Sequence, residues 1–325
     1  MKKKHFLGVL TVFLFVVGLT IQPAGAAYPE KAIELVIHMA AGSAPDIEGR
    51  VFAAEMAKVL GKPVVPINKP GGGGAVSYTM VYNAKPDGYT IAWNSMSILT
   101  CTNIGNVPFD FDALDQVGQI MTQPMLIAVK GDAKWKTAKE LIADAKAHPR
   151  TIKMASAAIG SSTHLVTLAL QQYAGFEAVM VPLGAVRMLA GLLAGEVDTN
   201  TTVSSMIIDM VKAKKVRVLL NSGEERMSTY PDAPTMKELG YDVVLDLFRG
   251  VSVPKGTPAA IKDKLYNAMV KVSKTKAMKN LSARTGLEIK MRNSAEFTKY
   301  LYGRDKQIKE ILKKAGLYRS KAKKK

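Results

Sequence analysis

Cysteine, histidine and aromatic residues are scarce in this chain of 325 residues. The single cysteine, Cys101, excludes an intrachain disulfide framework and a zinc site built from cysteines. The 4 histidines lie far apart and form no HExxH pair, so we expect no bound metal and no cofactor. Aromatic residues make up only 7% of the chain, which is sparse for a protein that stacks on bases, and we expect no nucleic-acid partner.

Acidic residues are outnumbered, and the formal net charge is +18. Part of this charge lies at the two ends, at Lys2, Lys3 and Lys4 and in the basic stretch 319–325, and charged ends are usually solvated. The remaining positive balance favours encounter with small anions. With 48% hydrophobic and 22% charged residues, the chain has a globular composition and enough length for two lobes.

The N-terminus has the pattern of a secretory signal. Basic residues precede the apolar run Phe6–Ile21, and Ala24, Gly25 and Ala26 supply the small residues of a cleavage site. The run is shorter than the ~20 residues of a membrane-spanning helix, which favours cleavage over an uncleaved anchor. No cysteine comes directly after the run, so we expect no lipid anchor. We predict a signal peptide over 1–26 and a location in the periplasm.

Past this segment, strand and helix patterns alternate. Apolar runs such as Ile33–Met39, Tyr89–Trp93 and Thr151–Ala155 predict short buried strands, and amphipathic stretches such as Ile47–Leu60 and Thr163–Ala174 predict helices between them. This alternation predicts parallel sheets with helices on both faces. Two doubly wound α/β lobes fit the length, and ligands of such sheets bind at the carboxyl ends of the strands.

The loop after the first strand is a candidate anion site. Ser43 and Asp46 have the spacing of a capping box, so Asp46 either completes a well-made helix start or stands beside backbone N–H groups that receive an anion. Gly42 permits a close approach of the ligand to the backbone, and Ala41 precedes it.

Short hydrogen-bonding residues recur at later strand ends and helix starts. These candidate ligand-binding residues are Asn94, Ser95, Ser97, Gly160, Ser161, Ser162, Thr201 and Thr202. His164 is either a structural histidine or a ligand contact. Gly184 and Arg187 open another helix, where Arg187 either clamps a carboxylate or lies on the surface. Two such helix starts facing each other across a cleft would grip both ends of a dianion.

Enzyme motifs are missing. Gly71–Gly74 has no Lys-Ser/Thr after it, so it is not a P-loop, and we expect a tight turn there. No GxSxG elbow and no ordered serine, histidine and acid mark a catalytic triad.

Several segments together resemble a known family. They are YPEKAIELVIHMAAGSAPDIEGRVFAAEMAKVLGKPVVPINKPGGGGA, NAKPDGYTIAW, KMASAAIGSSTHL, VPLGAVRMLAGLLAGEVD, YPDAPTMKELGY and FRGVSVPKGTPAAI. In this order they resemble the Bug-type (TctC-like) solute-binding proteins of tripartite tricarboxylate transporters. The chain departs from the family pattern at Val181–Gly184, which reads VPLG instead of VPYKG, at Arg187, where the family has proline, and at Thr199–Val203.

The resemblance implies a two-lobed, type II-like Venus flytrap that binds a carboxylate between its lobes. It also implies delivery to a permease made of one large and one small membrane subunit. We expect a monomer without catalytic activity, with 27–126 and 249–325 in one lobe and 127–248 in the other. Chain crossings near Met125–Val129 and Leu247–Val253 are expected to form the hinge. A periplasmic enzyme, or a protein that binds polyanions through its basic tail, is the alternative.

Overall fold

The computed structural model describes residues 28–319, so the predicted signal peptide over 1–26 and most of the basic tail lie outside the described residues. The strands are β1 Ile33–Ile37, β2 Val64–Asn68, β3 Thr90–Asn94, β4 Leu114–Gln123, β5 Leu126–Lys130, β6 Lys153–Ser156, β7 Val179–Pro182, β8 Thr199–Thr202, β9 Val216–Asn221, β10 Leu247–Pro254 and β11 Glu288–Arg292.

The helices lie between and after the strands. They are α1 Ala44–Leu60, α2 Ala75–Tyr82, α3 Ser97–Asn103, α4 Ala138–Ala147, α5 Ser162–Ala174, α6 Met188–Ala194, α7 Ser204–Lys212, α8 Ala259–Ser273, α9 Lys276–Thr285 and α10 Ser294–Lys314. Several of them end on a glycine in the left-handed conformation, as α1 does at Gly61 and α5 at Gly175, because a residue without a Cβ adopts that conformation easily.

The strands form two sheets, one in each lobe. The first has the order β11-β4-β10-β3-β1-β2 and the second the order β7-β6-β8-β5-β9. Strand β1 pairs in parallel with β2 and β3, and β6 pairs in parallel with β7 and β8. The predicted two-lobed α/β fold is thereby confirmed.

The predicted parallel pairs are joined by antiparallel ones, so both sheets are mixed. Strand β10 runs antiparallel to both β3 and β4, and β5 runs antiparallel to β8 and β9. Strands β5 and β10 are the first strands after each crossing between the lobes, and no helix separates them from the last strand of the lobe that the chain has left. Mixed sheets are therefore the consequence of two lobes that exchange strands.

The chain passes between the lobes twice within the described residues. The first crossing is the short link 124–125 between β4 and β5, and the second is the segment 222–246 between β9 and β10. Leu126 therefore pairs in the second sheet, whereas Leu247 and Phe248 pair in the first. The expected second crossing at Leu247–Val253 is instead part of β10. The lobe boundaries at 126 and 248 stay a prediction.

The last helix joins the two lobes on one side. Helix α10 packs on β4 of the first sheet, and it also contacts α5 of the second lobe. There Gln172 donates a hydrogen bond to the carbonyl of Ile311 at 2.7 Å, and the Lys314 ammonium lies 5.6 Å from the ring centroid of Tyr173. Among residues 28–319, no helix combines the length and the apolar character needed to cross a membrane.

Candidate functional site

A cavity of about 60 Å³ lies between the two lobes. It lies beyond the carboxyl ends of the parallel strands β1, β3, β6 and β8, where ligands of doubly wound sheets bind. Its lining consists of His38, Met39, Ala44, Pro45, Ser95, Ser97, Met125, Ala157, Ser161, Ser162, Thr163, Ala185, Met188, Thr202, Val203, Met206, Leu247 and Arg249. The starts of α1, α5 and α7 all contribute to this lining, and helix starts favour anions.

The start of α1 is built around Asp46. Ser43 is the N-cap by its backbone, but its hydroxyl donates to the carbonyl of Ala40 at 2.6 Å and makes no cap bond. The Asp46 carboxylate instead accepts the backbone N–H of Gly42 at 2.8 Å and pairs with Arg50 at 2.9 Å. Burial by itself raises the pKa of Asp46, but the hydrogen bonds from Arg50 and Gly42 outweigh it and hold the pKa below its usual value. The capping box expected from the spacing is therefore wrong.

Asp46 accordingly shapes the first-lobe loop. Ala41, Gly42, Ser43 and Asp46 all lie outside the cavity lining, whereas Ala44 and Pro45 from the first turn of α1 line it. Pro45 has no N–H, and this reduces the number of free donors that this helix start offers to an anion.

The start of α5 is built from hydroxyl groups. The Ser161 hydroxyl accepts the backbone N–H of His164 at 3.3 Å, lies 2.8 Å from the Thr163 hydroxyl and donates to the carbonyl of Ala158 at 2.7 Å. These bonds make Ser161 a structural cap, although it touches the cavity. Among the described residues, the Ser162 hydroxyl has one hydrogen-bond partner, the Ser97 hydroxyl of the other lobe at 3.4 Å. Ser97 and Ser162 therefore face each other across the cleft.

His164 is held as a neutral base behind this helix start. Its Nδ1 accepts the backbone N–H of Gly160 at 3.2 Å, so the proton of the neutral ring is on Nε2. Burial lowers the pKa of His164 to about 4. The residue lies outside the cavity lining, in agreement with the structural alternative.

His38 lines the first-lobe side of the cavity. Its Nδ1 lies 3.3 Å from the carbonyl oxygen of Trp93, which can only accept, so Nδ1 donates and Nε2 accepts from the Ser95 hydroxyl at 2.9 Å. Burial and the charge of Arg249 lower the pKa of His38 to about 3. His38 is thus an uncharged element that orients Ser95.

A buried ion pair provides the charge in the cavity. The Arg249 side chain is 2% exposed and its Nε lies 2.5 Å from Oε2 of Glu48, whose side chain is 1% exposed. Oε1 of Glu48 accepts a hydrogen bond from Gln123 at 3.3 Å. Burial raises the pKa of Glu48, against the opposing effect of the guanidinium. Arg249 lines the cavity, so a positively charged group faces any ligand there.

Other residues that the sequence nominated lie elsewhere. Asn94 is buried behind the cavity, where it donates to Ser252 at 2.7 Å, and the Thr201 hydroxyl lies 2.7 Å from that of Thr167. Thr202, the next residue, does line the cavity. Arg187 is 65% exposed and pairs with Glu196 at 3.1 Å, and the nearby Gly184 is exposed as well. For Arg187 the surface alternative is the one the structure displays.

Two glycines bring the lobes into contact beside the cavity. A Cβ on Gly73, which has φ +69°, would lie 2.7 Å from the carbonyl oxygen of Ile159 in the other lobe. A Cβ on Gly160, with φ +80°, would lie 2.4 Å from Cδ1 of Ile104. Thr100 also donates a hydrogen bond to the carbonyl of Gly160. The expected tight turn at Gly71–Gly74 is thus also a surface on which the lobes meet.

Sequence reasoning missed the charged and methionine-rich parts of the lining. Arg249 carried a signal, since it is a lone charge inside the apolar run LFRGVSVP, and Glu48 lies on the face of α1 that also buries Phe52. Met39, Met125, Met188 and Met206 carried none, because methionines in such patterns are equally typical of an ordinary core.

The comparison with protein families agrees with this geometry. A model described as "Tripartite tricarboxylate transporter family receptor" (TctC) matches residues 49–317. The chain belongs to this receptor family. It is a solute-binding protein and not an enzyme, which confirms the resemblance seen in the sequence.

Proteins similar to this chain align with it over most of its length and most of their own. A Cupriavidus necator protein, named "UPF0065 protein in gbd 5'region", is 30% identical and aligns over 98% of this chain and 99% of its own. The periplasmic binding protein BugD is 28% identical, with a TM-score of 0.84 over 90% of this chain and 100% of its own. MatC from Rhodopseudomonas palustris, solved with malate, is 23% identical and shares the fold, with a TM-score of 0.82 over 88% of this chain and 100% of its own.

Proposed function

We propose that this TctC receptor binds a small carboxylate in the cavity between its lobes and delivers it, as a monomer in the periplasm, to a two-subunit permease. The observation that supports this most directly is the convergence of three helix starts and the buried guanidinium of Arg249 on one cavity between the lobes. The MatC structure holds malate in the same fold, which is in keeping with an acid as ligand.

The cleft residues have different parts in this proposal. Ser97, Ser162 and Thr202 supply hydroxyl donors to the carboxylate, and Arg249 supplies charge. Ser95 lines the cavity beside them, with its hydroxyl donating to His38. The Ser97 and Ser162 hydroxyls come from different lobes and lie 3.4 Å apart, so a carboxylate that accepts hydrogen bonds from both would link the lobes. Ligand binding is thereby coupled to closure about the two crossings, the motion of a hinged receptor.

A thermal-shift screen tests the proposal. Mono-, di- and tricarboxylates are added to the mature protein at millimolar concentration, with the uncharged amide of each acid as its control. A carboxylate that binds the folded state should raise Tm. At a concentration a hundredfold above Kd, it should increase the free energy of unfolding by about 2.7 kcal/mol. Small-angle scattering should then show a smaller radius of gyration with that acid. Stabilisation by amides and acids alike, or by none of them, would contradict the proposal.

Delivery is tested in cells. Uptake of the identified acid should fail when the gene for this chain is deleted and return with the wild-type chain. Complementation by Ser162→Ala should be weaker, because the lobes lose a shared contact with the ligand. Uptake that persists fully without the chain would contradict a role in transport.

A further inference from the structure

The guanidinium of Arg249 has hydrogen-bond donors that the described part of the protein does not use. A guanidinium carries five N–H groups. In the structure, Nε pairs with Glu48 at 2.5 Å, and Nη1 donates to the carbonyl of Phe248 at 3.2 Å. The other N–H groups have no protein acceptor among residues 28–319. Since Arg249 lines the cavity, these donors are available to a carboxylate placed there.

The cavity offers charge for one carboxylate at most. Arg249 is the only charged residue of its lining in the described part of the chain, and Glu48 already pairs with it. His38 is committed to Trp93 and Ser95 as a neutral ring. A second ligand carboxylate would therefore have only helix starts and hydroxyl groups to contact and no cationic side chain to pair with, which makes its burial less favourable than that of the first.

The rest of the lining is largely apolar. Met39, Met125, Met188 and Met206 surround the cavity together with Leu247. Methionine side chains are flexible and polarisable, so they adapt to apolar groups of different shape. These methionine and leucine side chains have no hydrogen-bond donor for a second carboxylate, whereas they stabilise an alkyl or aryl group by burial.

We propose that Arg249 anchors the carboxylate of the ligand and that the methionines receive its apolar body, so that the receptor selects monocarboxylates over dicarboxylates of the same chain length. This inference rests on the proposed function of a carboxylate receptor. It narrows that function to a class of ligand defined by one charged and one apolar end.

Matched acids test the selectivity. Calorimetric titration with hexanoate and adipate, and with butyrate and succinate, compares ligands of equal carbon number that differ in one carboxylate. Each monocarboxylate should bind at least about tenfold more tightly than its partner. Equal or tighter binding of the dicarboxylates would overturn the inference and leave the receptor function standing. Binding of none of the four acids, while another carboxylate raises Tm, would also overturn it.

A new cation should reverse the preference. Met206→Lys places an ammonium among the methionines of the cavity lining, where it can pair with the second carboxylate of adipate. The ratio of hexanoate to adipate affinity should fall by at least about tenfold. Met210→Lys is the control, because it introduces the same charge on the same helix α7 outside the cavity lining. An unchanged ratio in a folded Met206→Lys protein would contradict the assignment of the methionines to the apolar body of the ligand.

The anchor is tested by removing both charges of the ion pair. The double variant Glu48→Gln and Arg249→Gln leaves no unpaired buried charge, and it should lose hexanoate affinity by at least about thirtyfold. Arg187→Ala is the control for the loss of one arginine, at a position that pairs with Glu196 on the surface. Wild-type affinity in the folded double variant would overturn the anchor. The titrations of wild type and Met206→Lys decide the selectivity whether or not the double variant folds.

Discussion

The two lobes have nearly the same backbone conformation at the starts of α1 and α5, but different side chains accept the backbone N–H of the glycine in each loop. Gly42 has φ 79° and Gly160 has φ 80°, and the N-cap serines that follow have φ/ψ of −76°/162° at Ser43 and −79°/164° at Ser161. In the first lobe the carboxylate of Asp46 accepts the glycine N–H. In the second lobe the imidazole of His164 accepts it.

This difference extends to the cavity itself. Both lobes contribute hydroxyl groups and methionines, but only the first contributes a charged side chain to the lining, Arg249 in its ion pair with Glu48. Equal backbone geometry therefore does not imply equal chemistry. Under the proposed function, the charged contact with the ligand comes from the first lobe, whereas hydroxyl and apolar contacts come from both lobes.

Breaking the charged half should have the largest effect. Glu48→Ala leaves the guanidinium of Arg249 buried without a partner, and the free energy of unfolding should fall by about 3–5 kcal/mol. Chemical denaturation measures this change. Glu196→Ala removes the exposed partner of Arg187 and should change stability by less than about 0.5 kcal/mol. A loss from Glu48→Ala no greater than that of the control would contradict the buried pair as a structural element.

The two neutral histidines, one in each lobe, should make stability fall in acid. Their folded pKa values, about 3 for His38 and about 4 for His164, lie below the ordinary value of 6.5. The unfolded chain therefore binds more protons below pH 6.5, and each histidine should cost about 2 kcal/mol of stability between pH 6.5 and pH 5.

Variants separate the contributions of the two histidines. The decrease in unfolding free energy between pH 6.5 and pH 5 should be smaller in His38→Gln and in His164→Gln, and smallest in the double variant. His148→Gln, which removes an exposed histidine, is the matched control. A wild-type pH dependence in the double variant would show that neither ring is held neutral by the fold.

The two adjacent serines of the second lobe should differ in what they affect. Ser161→Ala removes the cap of α5 and should lower the free energy of unfolding by about 1 kcal/mol. Ser162→Ala should change stability little but weaken binding of the best acid by about 1–2 kcal/mol, because its hydroxyl faces the cleft. Calorimetry and denaturation of both variants test this division. Equal effects of the two substitutions on affinity would contradict it.

Much of the fold could be predicted from local patterns. Strand and helix runs such as those at Ile33–Ile37 and Ala75–Tyr82 follow from apolar periodicity and from glycine and proline boundaries. Strand β11 has no comparable signal, because its alternating polar residues gain their strand conformation from pairing with β4. Antiparallel pairing of β5 and β10 also depends on which lobe each strand joins.

The candidate site was predictable only as a set of loops. Ser95, Ser97, Ser161, Ser162 and Thr202 were nominated from helix starts and strand ends, and the cavity brings them together. For other candidates, the direction of the side chain decided whether they line the cavity, and the sequence does not show this direction. Of two neighbouring residues, Thr201 faces Thr167 whereas Thr202 faces the cleft.

Local sequence alone determined that short strands and helices alternate, because apolar spacing and glycine or proline boundaries act over a few residues. Only the tertiary structure decided which charges are buried. Glu48 and Arg249 are far apart in the chain, and their hydrogen bond spans 201 positions. A charge in an apolar strand is tolerated when its partner arrives from another element, and no local pattern records that arrival. The charged end of the cavity is therefore a property of the folded chain.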